Sequence, residues 1–196
     1  MSKCLVLFVE GETEIEFYKA VITFAREKLQ TKKFDTSIEL KNIKGVGGFK
    51  KDALRKFVNE IKPKYKKDCK FTIVLCSDTD VFELQPRPPV NWSDVRNDLI
   101  AAGAYNVIFV RAEKSIEDWF LYDLDSIVSF LRLKKDEKTS GSNGYEKLQR
   151  LYRKANKIYF KGMKSNGMVK YLNIEKISLA VKDQLSPLYK ILGVDL

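Results

Sequence analysis

Leu5-Val6-Leu7-Phe8-Val9-Glu10-Gly11-Glu12-Thr13-Glu14 is the stretch whose reading decides the fold of this chain. Five consecutive apolar residues predict a strand covered on both faces, as central strands of a parallel sheet are. The run ends on a carboxylate, a glycine and two further carboxylates. Gly11 lets the backbone turn sharply, and Thr13 followed by Glu14 and Glu16 suits the first turn of a helix, where negative charge is favoured. Strand, tight turn and helix together place Glu10 at the carboxyl edge of a sheet, the edge at which open α/β sheets keep their chemistry. Taken alone, the same residues also describe an ordinary βα unit with solvated acids in its first turn.

Outward from this unit, apolar residues at helical spacing predict a helix from Thr13 to about Gln30. A second strand is expected at Ser37–Ile43, ending in the glycine-rich turn Lys44-Gly45-Val46-Gly47-Gly48, which lacks the spacing of a Walker loop or a Rossmann fingerprint. A basic helix follows from Phe49 to about Ile61, stopped by Pro63, and then a nearly continuous apolar strand at Lys70–Ser77 that ends on Asp78-Thr79-Asp80. Pro86, Pro88 and Pro89 keep residues 81–91 from being helical throughout. A helix at Trp92–Ala102 with Ser93 as its cap, a strand at Asn106–Val110 and a helix starting near Ser115 complete the pattern. Alternating strands and helices imply an α/β domain over residues 1–132, built on a mainly parallel four-stranded sheet flanked by helices. Lys134–Gly144 reads as a polar loop, and residues 133–196 as a basic C-terminal extension, helical in pattern from Tyr145 onward and packed on the sheet domain.

The totals narrow the chemistry. A length of 196 residues suits one domain with at most a small appendage. Its charge of +10 suits a polyanionic partner. The absence of histidine excludes Ser-His-Asp and Cys-His catalysis and His-ligated zinc. Cys4, Cys69 and Cys76 form no CxxC pair, which fits buried thiols in a reducing, cytoplasmic setting. No signal peptide and no membrane span are expected.

Three acidic positions share one edge of the expected sheet. Glu10 ends the first strand, Asp78 and Asp80 end the third, and Glu117 follows the fourth. Two like charges about 4 Å apart repel by roughly 4 kcal/mol at an effective dielectric near 20, so a proton, a lysine or a cation must sit among them. An oxygen-only donor set selects Mg2+ or Mn2+ over zinc. An acidic turn after a strand is the plain alternative.

Val9-Glu10-Gly11-x-x-Glu14 after a first strand, followed by Asp78-x-Asp80 after a later one, resembles the TOPRIM domain of topoisomerases, bacterial primases and OLD-family nucleases. The resemblance covers about residues 3–123, and Lys114-Ser115-Ile116-Glu117-Asp118-Trp119 is more similar to OLD-type and stand-alone TOPRIM proteins of phage-defence and mobile-element loci. It implies a TOPRIM-like, Rossmann-like fold and a Mg2+- or Mn2+-dependent nuclease acting on DNA or RNA. Asp78 and Asp80 would hold metal, Glu10 would be a ligand or general base, Glu14 would join the site, and Glu117 would support a second ion. Lys114 or Lys161 would stabilise charge on the scissile phosphate. Lys44, Lys50, Lys51, Lys161 and Lys164 are the expected nucleic-acid contacts, and Tyr145, Tyr152, Tyr159, Phe160 and Tyr171 are either base-stacking or helix-packing residues. No Walker A motif is present, so an ATPase partner would be a separate chain. The rival expectation is a non-catalytic TOPRIM module that binds nucleic acid or such an ATPase.

Overall fold

The computed structural model describes residues 2–29, 36–80, 90–165 and 167–195. Strands β1 (Lys3–Val9), β2 (Thr36–Asn42), β3 (Lys70–Asp78) and β4 (Asn106–Ala112) form one sheet in the order β2-β1-β3-β4, with every neighbouring pair parallel. The fold is therefore α/β with an all-parallel sheet flanked by helices, as the alternation of strand and helix patterns predicts. Register aligns Phe8 with Leu75 and Asp78 with Ala112, so the carboxyl ends of β1, β3 and β4 lie side by side.

Side-chain alternation explains why the two middle strands read as unbroken apolar runs. Leu5, Leu7, Val9, Val74, Cys76, Val110 and Ala112 belong to the core on one face, and Cys4, Val6, Phe8, Phe71, Ile73, Leu75 and Val107 to the core on the other. The second face is covered by α2 (Gly48–Lys56), which runs on into a π-helical turn at Phe57–Ile61, and by α3 (Trp92–Ala101). Gly48 is required where α2 begins, because a Cβ there would meet the Ile43 carbonyl oxygen at 1.9 Å.

The first face is covered by α1 (Glu12–Lys28), which buries Phe17, Tyr18, Val21, Ile22 and Ala25 along one stripe. After β4 come α4 (Ile116–Phe120), α5 (Leu124–Leu131), α6 (Gly144–Lys154), α7 (Ile174–Ala180) and α8 (Lys182–Leu192). Leu148, Leu151, Ile177, Leu185 and Leu188 from these helices share the core of Leu5 and Val110, and α8 lies against β4. The C-terminal helices thus close one face of the sheet. Trp119 and Phe120, which open the chain's return across this face, are buried in the same core.

Three sequence expectations need correction. Asn91, not Ser93, caps α3: its side-chain oxygen accepts the Ser93 and Asp94 N–H groups, while Ser93 already lies inside the helix. β4 continues two residues beyond Val110, to Ala112. The helical pattern from Tyr145 onward breaks after Lys154: Asn156, Gly162 and Gly167 adopt positive φ values of 56°, 74° and 91° that no α-helix accommodates. The proline-rich reading of 81–91 falls mostly on residues outside those described. Cys4, Cys69 and Cys76 are free and buried. No helix among the described residues is long and apolar enough to cross a membrane.

Because α8 helps to close the sheet, Leu188→Ala is expected to destabilise the whole chain by about 2–5 kcal/mol. Urea unfolding followed by circular dichroism and by tryptophan fluorescence should shift in parallel. A separate early transition confined to one probe would show that the C-terminal helices fold apart from the sheet.

Candidate functional site

Parallel register gathers the sequence's scattered acids at one sheet edge. Glu10 follows the last residue of β1, Asp78 is the last residue of β3, and Glu14 and Glu117 lie in the first turns of α1 and α4. The strand ends are locked together through these side chains. The Asp78 N–H donates to Glu10 Oε1 at 3.1 Å, and the Ile116 N–H donates to Asp78 Oδ1 at 3.0 Å. Between Asp78 and Asp80, Thr79 is structural. The Thr79 and Asp80 N–H groups donate to the Lys114 carbonyl at 2.9 and 2.8 Å, and the Lys114 N–H donates to Thr79 Oγ1 at 2.8 Å.

The opposite wall of the crevice is the loop after α6. Tyr159 donates its hydroxyl to Glu117 Oε1 at 3.0 Å, and Lys161 Nζ lies 3.2 Å from Asp78 Oδ2 and 2.7 Å from Asp80 Oδ2. The loop is fastened to the start of α1: the Glu12 N–H donates to the Gly162 carbonyl at 2.8 Å, Thr13 donates its hydroxyl to the Met163 carbonyl, and the Ser165 N–H donates to Glu16 Oε2 at 3.0 Å. This approach explains the glycine of the first turn. A Cβ on Gly11 would meet Gly162 Cα at 2.6 Å. Gly144 serves α4 in the same way, since a Cβ there would meet the Asp118 backbone nitrogen at 2.4 Å.

The crevice is short of positive charge. Burial, followed by the neighbouring carboxylates, raises the affinity of Asp78 for its proton well above the ordinary carboxylate value. Burial likewise raises Glu10 and Glu117 and lifts Glu14 to about 7. Burial alone would lower Lys161, but the carboxylates of Asp78, Asp80 and Glu117 more than reverse this and hold it as an ammonium. Two buried carboxylate oxygens, Glu14 Oε2 and Glu117 Oε2, accept no hydrogen bond, and Asp78 Oδ2 is met by the Lys161 ammonium at 3.2 Å without a formal hydrogen bond. Undonated buried oxygens are uncommon in a folded interior and favour a proton or a cation beside them.

No protein-family model, curated protein or solved structure matches the chain.

The donor set can therefore be judged only on its own chemistry. Oxygen-only carboxylates, with Glu14 Oε2 and Glu117 Oε2 buried and undonated, suit a hard divalent ion such as Mg2+. Yet among the described residues no three acidic or thiol side chains stand in a ready-made ion-binding group, and the Lys161 ammonium takes the cation's place between Asp78 and Asp80. Lys161 thus differs from the other lysines expected at a nucleic-acid surface. Lys44, Lys50, Lys51 and Lys164 are exposed and form no ion pair among the described residues. Lys114 supports the Asp78–Asp80 turn through its backbone, at a φ of 64°, while its side chain lines a neighbouring groove with Glu113, Tyr122 and Lys147. The glycine-rich turn spends its amides internally: the Gly45 N–H donates to the Glu10 carbonyl at 2.8 Å and the Gly48 N–H to the Gly45 carbonyl at 2.9 Å. Sequence reading missed Tyr159 and Gly162 as parts of the site. The signal was present, because Ile158-Tyr159-Phe160-Lys161 alternates apolar and polar character where a helix would not.

A carboxyl group whose proton affinity is raised on folding makes the folded state bind more protons than the unfolded one between the two values. For Glu14 that window runs from about 4.5 to about 7, and stability falls as pH rises through it. The effect is on the order of 3 kcal/mol at most. Glu14→Gln is expected to flatten this part of the pH profile in chemical denaturation without added metal, relative to the unsubstituted protein. Identical slopes in the two proteins between pH 5 and 8 would place the titration elsewhere.

Proposed function

We infer that the chain is a TOPRIM-like, divalent-metal-dependent nuclease that hydrolyses phosphodiester bonds in DNA or RNA. The observation that carries the reading is the group of buried carboxylates at the carboxyl edge of a parallel sheet, in which Glu14 Oε2 and Glu117 Oε2 accept no hydrogen bond and Asp78 Oδ2 faces the Lys161 ammonium. Asp78 and Asp80, with Glu10, are the residues that would hold Mg2+ or Mn2+, and Glu117 is near enough to raise the proton affinity of both Glu14 and Asp78. A bound ion would supply Lewis-acid neutralisation of phosphate charge and a more acidic water.

The chain's own residues account for the remaining needs. Glu14, with a proton affinity near neutrality, is suited to hold or release a proton at working pH. Lys161 is 38% exposed at its side chain, so its ammonium can leave the carboxylates and meet a phosphate oxygen. Tyr159 fixes Glu117, and the backbone of Ile116 fixes Asp78, so neither acid must reorient as substrate enters. The charge of +10 supports attraction of a polyanion to a crevice that is itself acidic. Buried unpaired thiols suit a cytoplasmic setting, and a separate ATPase chain and a role in phage defence belong to this reading by resemblance alone.

One observation favours a second reading. Lys161 already neutralises the two aspartates, as it would in a non-catalytic module that only binds nucleic acid or an ATPase. The deciding experiment is incubation of the purified protein with end-labelled single- and double-stranded DNA and total tRNA, in Mg2+, Mn2+ or EDTA. Metal-dependent cleavage should fall by on the order of 10²-fold or more in Asp78→Ala. Equal cleavage by that variant would remove the site assignment, and salt-sensitive binding without cleavage under all conditions would establish the non-catalytic reading.

Competition between Lys161 and the ion gives an independent readout. Saturating Mg2+ is expected to raise the Tm by on the order of 5 °C. Lys161→Ala should lower the metal-free Tm and enlarge that rise, because Asp78 and Asp80 lose the ammonium that pairs with them. A Tm insensitive to Mg2+ in both proteins would mean that the crevice takes no ion.

A further inference from the structure

The loop that carries Lys161 has a second face. While Tyr159 and Lys161 point into the acidic crevice, Ile158, Phe160 and Met163 point outward and are 63%, 56% and 60% exposed. These are large apolar side chains on one short segment, and Phe160 makes no aromatic contact among the described residues. They border a groove of about 490 Å³, with Tyr152 beneath and Lys164 at its rim. Lys157 immediately precedes them and opens onto an adjoining groove of about 700 Å³ that also holds Arg132, Lys154 and the 62%-exposed Tyr171. The segment is not a loose one. Bonds from Glu12, Thr13 and Glu16 to Gly162, Met163 and Ser165 hold it to α1.

We propose that Ile158, Phe160 and Met163 form a stacking platform for unpaired nucleobases, so that the strand presented to the carboxylate crevice is single-stranded. The proposal rests on the nucleic-acid reading of the crevice and adds its substrate class. Apolar exposure alone would suit many partners. Here the apolar groups are flanked by Lys157 and Lys164, with Arg132 lining the groove that Lys157 opens onto, in a chain of charge +10. That combination matches a polyanion with flat apolar faces: a backbone tracked by ammonium groups, and bases laid on an aromatic ring. A duplex hides those faces inside its stack and offers nothing for Phe160 to cover. The alternation along residues 158–161 places the two functions back to back, so a base resting on Phe160 lies one residue from the lysine that meets the acids.

The test measures binding apart from cleavage. Fluorescein-labelled oligothymidylate and oligouridylate 12-mers, and a duplex of equal length, are titrated with the 196-residue chain in EDTA and followed by anisotropy. The unsubstituted protein should prefer the single strands. Phe160→Ala should weaken single-strand binding about tenfold, with duplex affinity and the salt dependence unchanged. Phe160→Tyr should restore it, and unaltered Tm values would confirm that both variants fold. Met163→Ala should weaken the same complex by a smaller factor. Equal single-strand affinity in Phe160→Ala and the unsubstituted protein would overturn the platform, and so would equal affinity of the unsubstituted protein for strand and duplex. Failure to bind either nucleic acid, together with self-association abolished by Phe160→Ala, would overturn it in favour of a protein contact. The two readings part cleanly: metal-dependent cleavage unaffected by Phe160→Ala leaves the nuclease without the platform, while Phe160-dependent single-strand binding without cleavage leaves the platform without the nuclease.

Discussion

Repulsion among carboxylates is the constraint around which this molecule is arranged. A parallel sheet delivers Glu10, Asp78 and Asp80 to one edge, and the first turns of α1 and α4 add Glu14 and Glu117. Five acids in one crevice are tolerable only if their charge is reduced or opposed. The fold does both. Burial favours the protonated forms of Glu10, Glu14, Asp78 and Glu117, and Lys161 is drawn in against Asp78 and Asp80. What remains uncompensated, at Glu14 Oε2 and Glu117 Oε2, is the free energy available to a ligand.

The loop over 155–165 is where that constraint meets the rest of the architecture. It reaches the crevice because α6 is set close against α4, which Gly144 permits, and it stays there because Gly11 lets Gly162 approach the start of α1. Two glycines far apart in sequence therefore govern one electrostatic contact. The same approach gives the loop its two-sided character. Tyr159 and Lys161 are turned toward the acids, and Ile158, Phe160 and Met163 lie on the outward side.

Legibility from sequence followed the range of the interactions. β1 and β3 were readable because burial on both faces leaves unbroken apolar runs, and the acids at their ends were readable because a parallel sheet sends strand ends to one edge. Ser93 looked like a cap because its type is right, but Asn91 stands where the chain enters the helix. The partners of the acids were harder to read. Tyr159 and Lys161 meet Glu117 and Asp80 across separations of 42 and 81 residues, and the short alternation at 158–161 is the one local sign that they turn to the same side. Lys114 was singled out for its charge, yet the structure uses its backbone.

The contact between Lys161 and the aspartates also fixes an order of events in the making of the protein. Every acid of the crevice lies within the first 117 residues, whereas Tyr159, Lys161 and the Gly162 carbonyl follow more than forty positions later. A chain emerging from the ribosome carries the full negative cluster well before the groups that quiet it. The contacts that close the sheet edge cannot form until synthesis has passed Ser165, so the crevice is completed well after its acids have been made.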